Sequence, residues 1–257
     1  MSNILVCVKR VPDTGGEVSL TVDARNIDTA HLGATVSPHE ECAIELAVQT
    51  ASATDGEVTV LTLGEEDAVE QLRDAVALGC TNAVLIEAEP AAYGPIDIAK
   101  AIGDVVRAHE GAGTTYDLIL LGNDAADTGD FQVGVRLAYE LDRPVVTGIS
   151  TVEVQDGQVI AKGDGPAGGT QVFEVPMPAV VTVMEGGVEP RYPSIPGRMK
   201  AKRAKIEMVE PDLELVGSAR VMLKLPPKPP SQVTVLGEGA AAAPAVADLL
   251  QKLGVIK

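Results

Sequence analysis

Short apolar segments alternate with longer amphipathic segments from the N-terminus to about residue 145. The apolar segments are rich in Val, Ile and Leu, as buried parallel strands are, and cover Ile4–Val8, Val58–Leu63, Ala83–Ile86 and Leu118–Leu121. Helices are predicted between them over Pro38–Ala53, Glu65–Leu78, Ile96–Glu110 and Gln132–Leu141. Because parallel strands are joined by right-handed crossovers, the pattern predicts an α/β fold built on a Rossmann-like open parallel sheet.

The pattern changes near Pro144, where strands follow one another without helices between them. Thr151–Val154 and Gln158–Lys162 flank Asp156-Gly157, a pair typical of a tight hairpin turn. Further strands are predicted over Gly168–Val175 and Ala179–Met184. A β-hairpin region is therefore added to the parallel sheet.

The C-terminal segment differs from both preceding regions because it is rich in proline. The run Leu225–Pro230 contains four prolines, which exclude a helix interior and a central strand. A short helix is predicted after it, over Ala240–Leu253. We expect residues 1–223 to form one α/β domain and residues 224–257 to form a C-terminal arm that wraps a partner chain. The alternative is a flexible linker.

Composition narrows the classes of function. The 257 residues carry a net charge of −17, and only 2% of them are aromatic, so Val, Leu, Ile and Ala must build the core. Such acidity argues against binding to nucleic acid and against insertion into a membrane surface. The odd number of distant cysteines, Cys7, Cys42 and Cys80, indicates reduced thiols of a cytoplasmic protein rather than a disulfide set or a metal site.

One segment of this acidic chain is positively charged. Six of the twenty Lys and Arg residues lie between Arg191 and Lys205, with no acidic residue among them. Just before most of these cations, Pro193 and Pro196 flank Ser194 and Ile195, and each proline restricts both itself and the preceding residue. We expect a stiff docking loop within 185–205 that displays Ile195. A solvated basic surface is the alternative.

Three loops should leave the sheet at its carboxyl edge, where open parallel sheets bind ligands. They follow Cys7, Thr62-Leu63-Gly64 and Leu121. The third, Gly122–Gly134, is rich in glycine and leads into a helix, so it could offer backbone N–H groups to a phosphate. Three aspartates in the same loop, Asp124, Asp127 and Asp130, argue against an anion, so a capped turn is the alternative. A Mg²⁺ site is a less favoured one.

A helix start is predicted close to the same edge. Ser37 is a suitable N-cap, Pro38 suits the first helical position, and Glu40 completes a capping box. If this helix packs beside the first strand, its N-terminus lies near the three loops.

The chain resembles the small (beta) subunit of electron-transfer flavoproteins over nearly its whole length. The resemblance rests on Glu189–Tyr192 with Ile195-Pro196 and Met199–Lys202, and on Ile4–Val11, Leu72–Gly79 and Gly122–Gly134. It implies a sheet of the adenine-nucleotide-binding type, with a structural AMP at the carboxyl edge. It also implies a large (alpha) subunit that holds most of an FAD. The chain itself has no Gly-x-Gly-x-x-Gly fingerprint after a strand, which fits that division.

Site residues are implied by the same resemblance. The AMP contacts would be Cys7, Ser37, Pro38, His39, Glu40, Leu63, Gly122, Asn123, Asp124, Ala125, Asp127, Thr128, Gly129, Asp130, Phe131, Gln132 and Val133. Many members have Thr where this chain has Val133, so backbone groups would bind the phosphate here. His39 would be a loop or flavin-facing residue rather than a base. Thr14 would lie near the FAD isoalloxazine, and partner docking would use Tyr192, Ile195 and Pro196.

The implied function is electron transfer without catalytic turnover. Flavin dehydrogenases, such as the acyl-CoA dehydrogenases of fatty acid oxidation, would donate electrons, and a membrane quinone reductase would accept them. One alternative is an electron-bifurcating subunit with a second FAD in place of AMP. Another is a nucleotide-binding stress or signalling domain, which would leave the second half unexplained. An ATP-dependent ligase or sulfurtransferase is disfavoured because Lys9–Pro12 replaces its phosphate loop.

Overall fold

A computed structural model describes residues 1–13, 15, 18–227 and 233–256. The chain forms two compact units, Met1–Leu223 and Lys224–Lys257.

The first unit is built on a large, mostly parallel sheet with helices on both faces. The strands are β1 Ile4–Cys7, β2 Val11–Pro12, β3 Ala34–Thr35, β4 Val58–Gly64, β5 Asn82–Glu87, β6 Leu118–Gly122, β7 Val145–Gln155, β8 Gln158–Asp164, β9 Thr170–Pro176, β10 Ala179–Val183 and β11 Ile206–Val209. The helices are α1 Pro38–Thr54, α2 Val69–Leu78, α3 Pro95–Gly111, α4 Val133–Glu140 and α5 Ile195–Arg203. Within the described residues, nine strands pair in the order β11-β5-β4-β1-β6-β10-β7-β8-β9, and β2 and β3 form a separate ribbon.

The core lies on both faces of the central strands. β1 pairs in parallel with β4 on one side and β6 on the other, with Val6 opposite Val60 and Leu120. All of β1, β4 and β10 is buried. One apolar cluster forms under α1 and α2, and a second forms under α3 and α4. The predicted α/β fold with a Rossmann-like parallel sheet is confirmed.

The predicted hairpin region is also confirmed, and it joins the same sheet. β7 and β8 are antiparallel, and Asp156 and Gly157 both have positive φ angles, 48° and 78°, as their tight turn requires. β7 extends further than predicted because its first half pairs in parallel with β10. The strand predicted from Gly168 begins at Thr170, since Gly168 lies in a turn with φ 75°.

The docking segment differs from its prediction. A loop was predicted through 185–205, but α5 begins at Ile195 and β11 follows at Ile206, paired in parallel with β5. Ser194 caps α5 by accepting the Gly197 N–H at 3.1 Å, and Pro196 lies in the first turn, where no backbone donor is needed. The loop prediction is therefore wrong from Ile195 onward, because Ser194 and Pro196 start a helix as readily as they stiffen a loop.

Among its described residues, the second unit contains one α-helix, α6 Ala243–Lys252, preceded by a 3₁₀ turn over Gly239–Ala242. The predicted C-terminal helix is confirmed. None of the unit's described residues is buried, and α6 exposes Val246 and Leu249. Part of the predicted proline-rich run, Lys228–Pro230, lies outside the described residues. Among the helices that the structure describes, none is both long and apolar enough to cross a membrane.

Candidate functional site at the carboxyl edge of the sheet

The ends of four neighbouring strands define the site. β4, β1, β6 and β10 are adjacent and parallel, so their carboxyl ends reach one edge of the sheet. The loops after Cys7, Gly64 and Gly122 leave there, as the sequence predicts. Leu63 is buried near the end of β4 and belongs to the core under α3 and α4, so it forms the floor of this edge.

The first turn of α1 reaches this edge through a close approach to β6. A Cβ on Gly122 would lie 2.8 Å from Glu40 Cγ and 3.3 Å from His39 Cβ, so only glycine allows the contact. The Ser37–Glu40 capping box is present as predicted. Pro38 occupies the first helical position and is exposed. The helix start predicted from local sequence thus lies beside the end of β6.

Glu40 joins α1 to the loop after β1. Its carboxylate accepts the Lys9 backbone N–H at 2.7 Å, the Ser37 backbone N–H at 2.8 Å and the Ser37 hydroxyl at 2.9 Å. Burial nevertheless raises the pKa of Glu40 to about 7, because hydrogen bonds and the Lys9 charge offset only part of the desolvation. Burial, together with the Glu40 charge, also raises the pKa of Cys7, so this buried thiol stays protonated.

Two of the three loop aspartates have side-chain partners. Asp127 accepts a hydrogen bond from Lys9 Nζ at 2.6 Å, and Arg220 Nη2 lies 3.8 Å from its second oxygen. Asp124 lies 3.2 Å from His39 Nε2. Of the three aspartates that argue against an anion, Asp127 is therefore compensated by two cations. The partners of the loop aspartates, Lys9, His39 and Arg220, come from distant parts of the sequence.

The remainder of the loop is a tight turn followed by a helix N-terminus. The N–H groups of Thr128 and Gly129 donate to Ala125 O at 3.3 and 2.7 Å, and Gly129 has a φ of 64°. Asp130 is half-buried and Phe131 is exposed. Gln132 precedes α4, which begins at Val133, and makes no side-chain capping hydrogen bond. The first N–H groups of a helix have no partner within the helix, so this end can bind an anion.

Asn123 fixes the base of the loop. Its side-chain oxygen accepts the Thr182 hydroxyl at 2.7 Å and the Gly148 N–H at 3.0 Å. A Cβ on Gly134 would lie 2.4 Å from Thr182 Cγ2, so glycine lets α4 begin directly against β10. The loop is thus held at both ends.

Comparison with known proteins shows which family the chain belongs to. Residues 25–214 match the model of the electron transfer flavoprotein domain. This chain belongs to the electron transfer flavoprotein family. It is 36% identical over 258 residues to the electron transfer flavoprotein subunit beta of Bacillus subtilis (strain 168), covering 97% of each chain. It is 30% identical over 261 residues to the subunit beta of Mycobacterium bovis, covering 93% of this chain and 95% of the relative. The predicted resemblance to beta subunits is confirmed.

Several residues at the carboxyl edge of the sheet were not predicted as site residues from the sequence. Lys9 lies two residues after the end of β1, so its position in the sequence is a usable signal. Arg220 lies outside the matched family domain and carries no local signal. Thr182 and Gly148 come from the hairpin half of the sheet. Thr14, expected near FAD, lies outside the described residues.

His39 lies in the first turn of α1 rather than in a loop. Its Nδ1 is buried and has no hydrogen-bond partner among the described residues. Across the same part of the chain, no group of three or more His, Cys, Asp and Glu side chains is placed to hold a metal ion.

The three docking residues lie on the surface of the protein. Tyr192 and Ile195 are 94% and 79% exposed, and Pro196 is exposed beside them. α5 itself packs on α2: a Cβ on Gly197 would lie 2.3 Å from Ala77 O, and Ala201 is buried. A fixed helix therefore displays Ile195.

The raised pKa of Glu40 predicts a pH-dependent stability. Because the folded protein binds the Glu40 proton more tightly than the unfolded chain, this stabilisation is complete below about pH 4.5 and is lost as pH rises through about 7. We expect Glu40→Gln to remove this dependence. The difference in unfolding free energy, wild type minus variant, should fall by roughly 1–2 kcal/mol between pH 5.5 and 8.5.

Urea unfolding of both proteins at the two pH values measures this difference. A difference that stays constant, or that rises with pH, would show that Glu40 is already ionised in the folded protein at pH 5.5.

Proposed function

We propose that this electron transfer flavoprotein beta subunit carries electrons as part of a heterodimer. The large subunit holds most of the FAD, and this chain binds a structural AMP at the carboxyl edge of its sheet. Flavin dehydrogenases such as acyl-CoA dehydrogenases donate the electrons, and a membrane quinone reductase accepts them. The chain contributes binding and positioning rather than catalytic turnover. Its free, buried cysteines support a place in the reducing cytoplasm.

The convergence of the edge loops is the observation that carries the nucleotide site. The carboxyl ends of β1, β4 and β6 meet the N-terminus of α4 there, with Gly129 in a conformation suited to a close backbone approach. Lys9 and Arg220 offset the charge of Asp127, so the loop repels a phosphate less than its sequence suggests. A mononucleotide fits this arrangement because its phosphate can bind backbone N–H groups while Leu63 and Cys7 provide an apolar floor.

The proposal predicts one FAD and one AMP per heterodimer. The chain is co-expressed with its candidate large subunit, and released FAD and AMP are quantified after an absorbance spectrum of the purified complex. Two FAD and no AMP would instead identify an electron-bifurcating protein. Gly129→Ala should lower the AMP content, because its added methyl group lies where the phosphate loop must approach the ligand.

Gly168→Ala is the matched control for this variant. Both glycines have similar positive φ angles, 64° and 75°, and an added Cβ at either meets no atom of the chain within 4 Å. The two substitutions therefore impose similar backbone strain. Equal AMP contents in the two variants would refute the placement of the phosphate at the Gly129 turn.

Partner docking is proposed for the start of α5. Ile195 is an exposed aliphatic residue on a helix that is packed against α2 and capped by Ser194. Because this anchor is already ordered, it loses little conformational entropy when it enters an apolar pocket of a dehydrogenase. The cations of α5 would meet acidic residues around that pocket.

Ile195→Ala should weaken docking without unfolding the protein. A central anchor contributes about 2 kcal/mol or more, so the KM for the heterodimer as electron acceptor should rise roughly 30-fold. The melting temperature should change little, since the side chain is 79% exposed. Val172→Ala, at an exposed residue of β9 at the other end of the sheet order, is the control. Normal electron transfer with a large loss of stability would show that Ile195 is a core residue.

The C-terminal unit is proposed to be an arm on the large subunit. Its described residues are all at least partly exposed, and they include the apolar Val235, Val246, Leu249 and Leu253. A helix as short as α6 is marginal in water without packing. An apolar surface on such a helix therefore calls for a covering partner.

Hydrogen exchange tests the arm. Amides of residues 243–252 should be protected in the heterodimer and should exchange rapidly in the isolated chain. Ending the chain at Leu223 should reduce heterodimer affinity and FAD retention. Equal protection of these amides with and without the large subunit would mean that the segment packs on its own domain.

A further inference from the structure

An ion pair between the exposed Arg191 and a buried carboxylate lies next to the docking residues in the chain. Glu45, on α1, is only 5% exposed. Its carboxylate accepts two hydrogen bonds from the Arg191 guanidinium, from Nε at 2.6 Å and from Nη2 at 2.8 Å, and the Arg191 backbone N–H adds a third at 3.2 Å. Gln49 Nε2 donates to the same carboxylate at 2.6 Å. The two partners are 146 residues apart in sequence.

This pair fixes both the side chain and the main chain of Arg191. A guanidinium that binds both oxygens of a carboxylate is held in one plane, which a lysine ammonium cannot reproduce. The additional bond to the Arg191 N–H holds the backbone of the segment just before Tyr192. The Arg191 guanidinium also holds the pKa of Glu45 below its usual range, so the carboxylate is charged at neutral pH.

The docking segment is therefore clamped on both sides of Ile195. On the N-terminal side Arg191 joins it to α1, and on the C-terminal side Gly197 and Ala201 pack α5 on α2. Between these two attachments lie only Tyr192 to Pro196, which include two prolines and the Ser194 cap. These constraints act on a segment of five residues, of which all but Pro193 are exposed.

We propose that Arg191 and Glu45 are positioning residues for dehydrogenase docking, because their pair holds the anchor Ile195 in the orientation that enters the partner. This inference rests on the docking function proposed above. Arg191 acts through Ile195 rather than through a contact of its own with the partner. Substitution of Glu45 can separate positioning from direct contact with the partner. Glu45 is only 5% exposed, so it cannot itself contact a dehydrogenase.

The test is a mutant cycle on the FAD-loaded heterodimer, with an acyl-CoA dehydrogenase as electron donor. Glu45→Gln and Arg191→Lys should each raise the KM for the heterodimer roughly five- to tenfold, since a loosened anchor must be ordered on binding. The kcat should not change. In the Ile195→Ala background both substitutions should have no further effect, because the residue that they position has been removed.

Arg107→Lys is the matched control. Arg107 also pairs with carboxylates, Asp104 at 2.7 Å and Glu140 at 2.9 Å, but it joins α3 to α4 and does not touch the docking segment. Its KM should equal that of wild type. FAD content and melting temperature are measured for every variant, and if Arg191→Lys is unstable the Glu45→Gln arm of the cycle decides.

The outcomes separate the inference from the proposed function. If Ile195→Ala raises KM while Glu45→Gln does not, docking stands and the positioning role is wrong. If the Glu45→Gln and Ile195→Ala effects multiply in the double variant, Glu45 acts independently of Ile195 and the inference is again overturned. If Ile195→Ala itself leaves KM unchanged, the docking function fails and the inference fails with it.

Discussion

The parallel pairing of β1 with β4 and β6 is the constraint on which the remainder of the protein depends. β1 is buried on both faces, so its backbone groups must all be paired with neighbouring strands. Backbone and side-chain polar groups that follow a buried strand can reach solvent or other partners only where the strand ends, at the edge of the sheet. The loops after β1, β4 and β6 therefore emerge together, and the first turns of α1 and α4 meet them there.

Glycines and small side chains set how closely the helices approach that edge. Gly122 admits the first turn of α1, and Gly134 admits α4 against Thr182. Gly197 does the same for α5 on the backbone of α2. In each case a methyl group would overlap an atom of the neighbouring element, so the position of a functional segment depends on an absent side chain. The candidate nucleotide loop and the docking helix are positioned by the same physical means.

Individual carboxylates at the two functional regions have specific partners, although the chain as a whole carries a net charge of −17. At the candidate nucleotide site, Lys9 and Arg220 face Asp127, while the buried Glu40 is satisfied by backbone donors and retains a pKa of about 7. At the docking segment, the buried Glu45 is paired with Arg191. Buried carboxylates therefore hold both functional regions, each with a different kind of partner. A paired or hydrogen-bonded carboxylate holds its donors in a defined geometry, which suits groups that must stay in place for a ligand or a partner protein.

Local patterns in the sequence predicted the α/β class, the central strands β1, β4, β5 and β6, the Ser37–Glu40 cap, the Asp156-Gly157 hairpin and the family, but not β11. These are local patterns, in which residues a few positions apart set backbone conformation and burial. The loop predicted over Ile195–Arg203 is wrong. Ser194 and Pro196 are equally compatible with a loop and with the start of a helix, and packing on α2 selects the helix. Only tertiary structure brought Lys9 to Asp127 and Arg191 to Glu45, pairs separated by 118 and 146 residues. Such contacts leave no periodic signal in a single sequence, since they depend on how the crossovers place one strand end beside another.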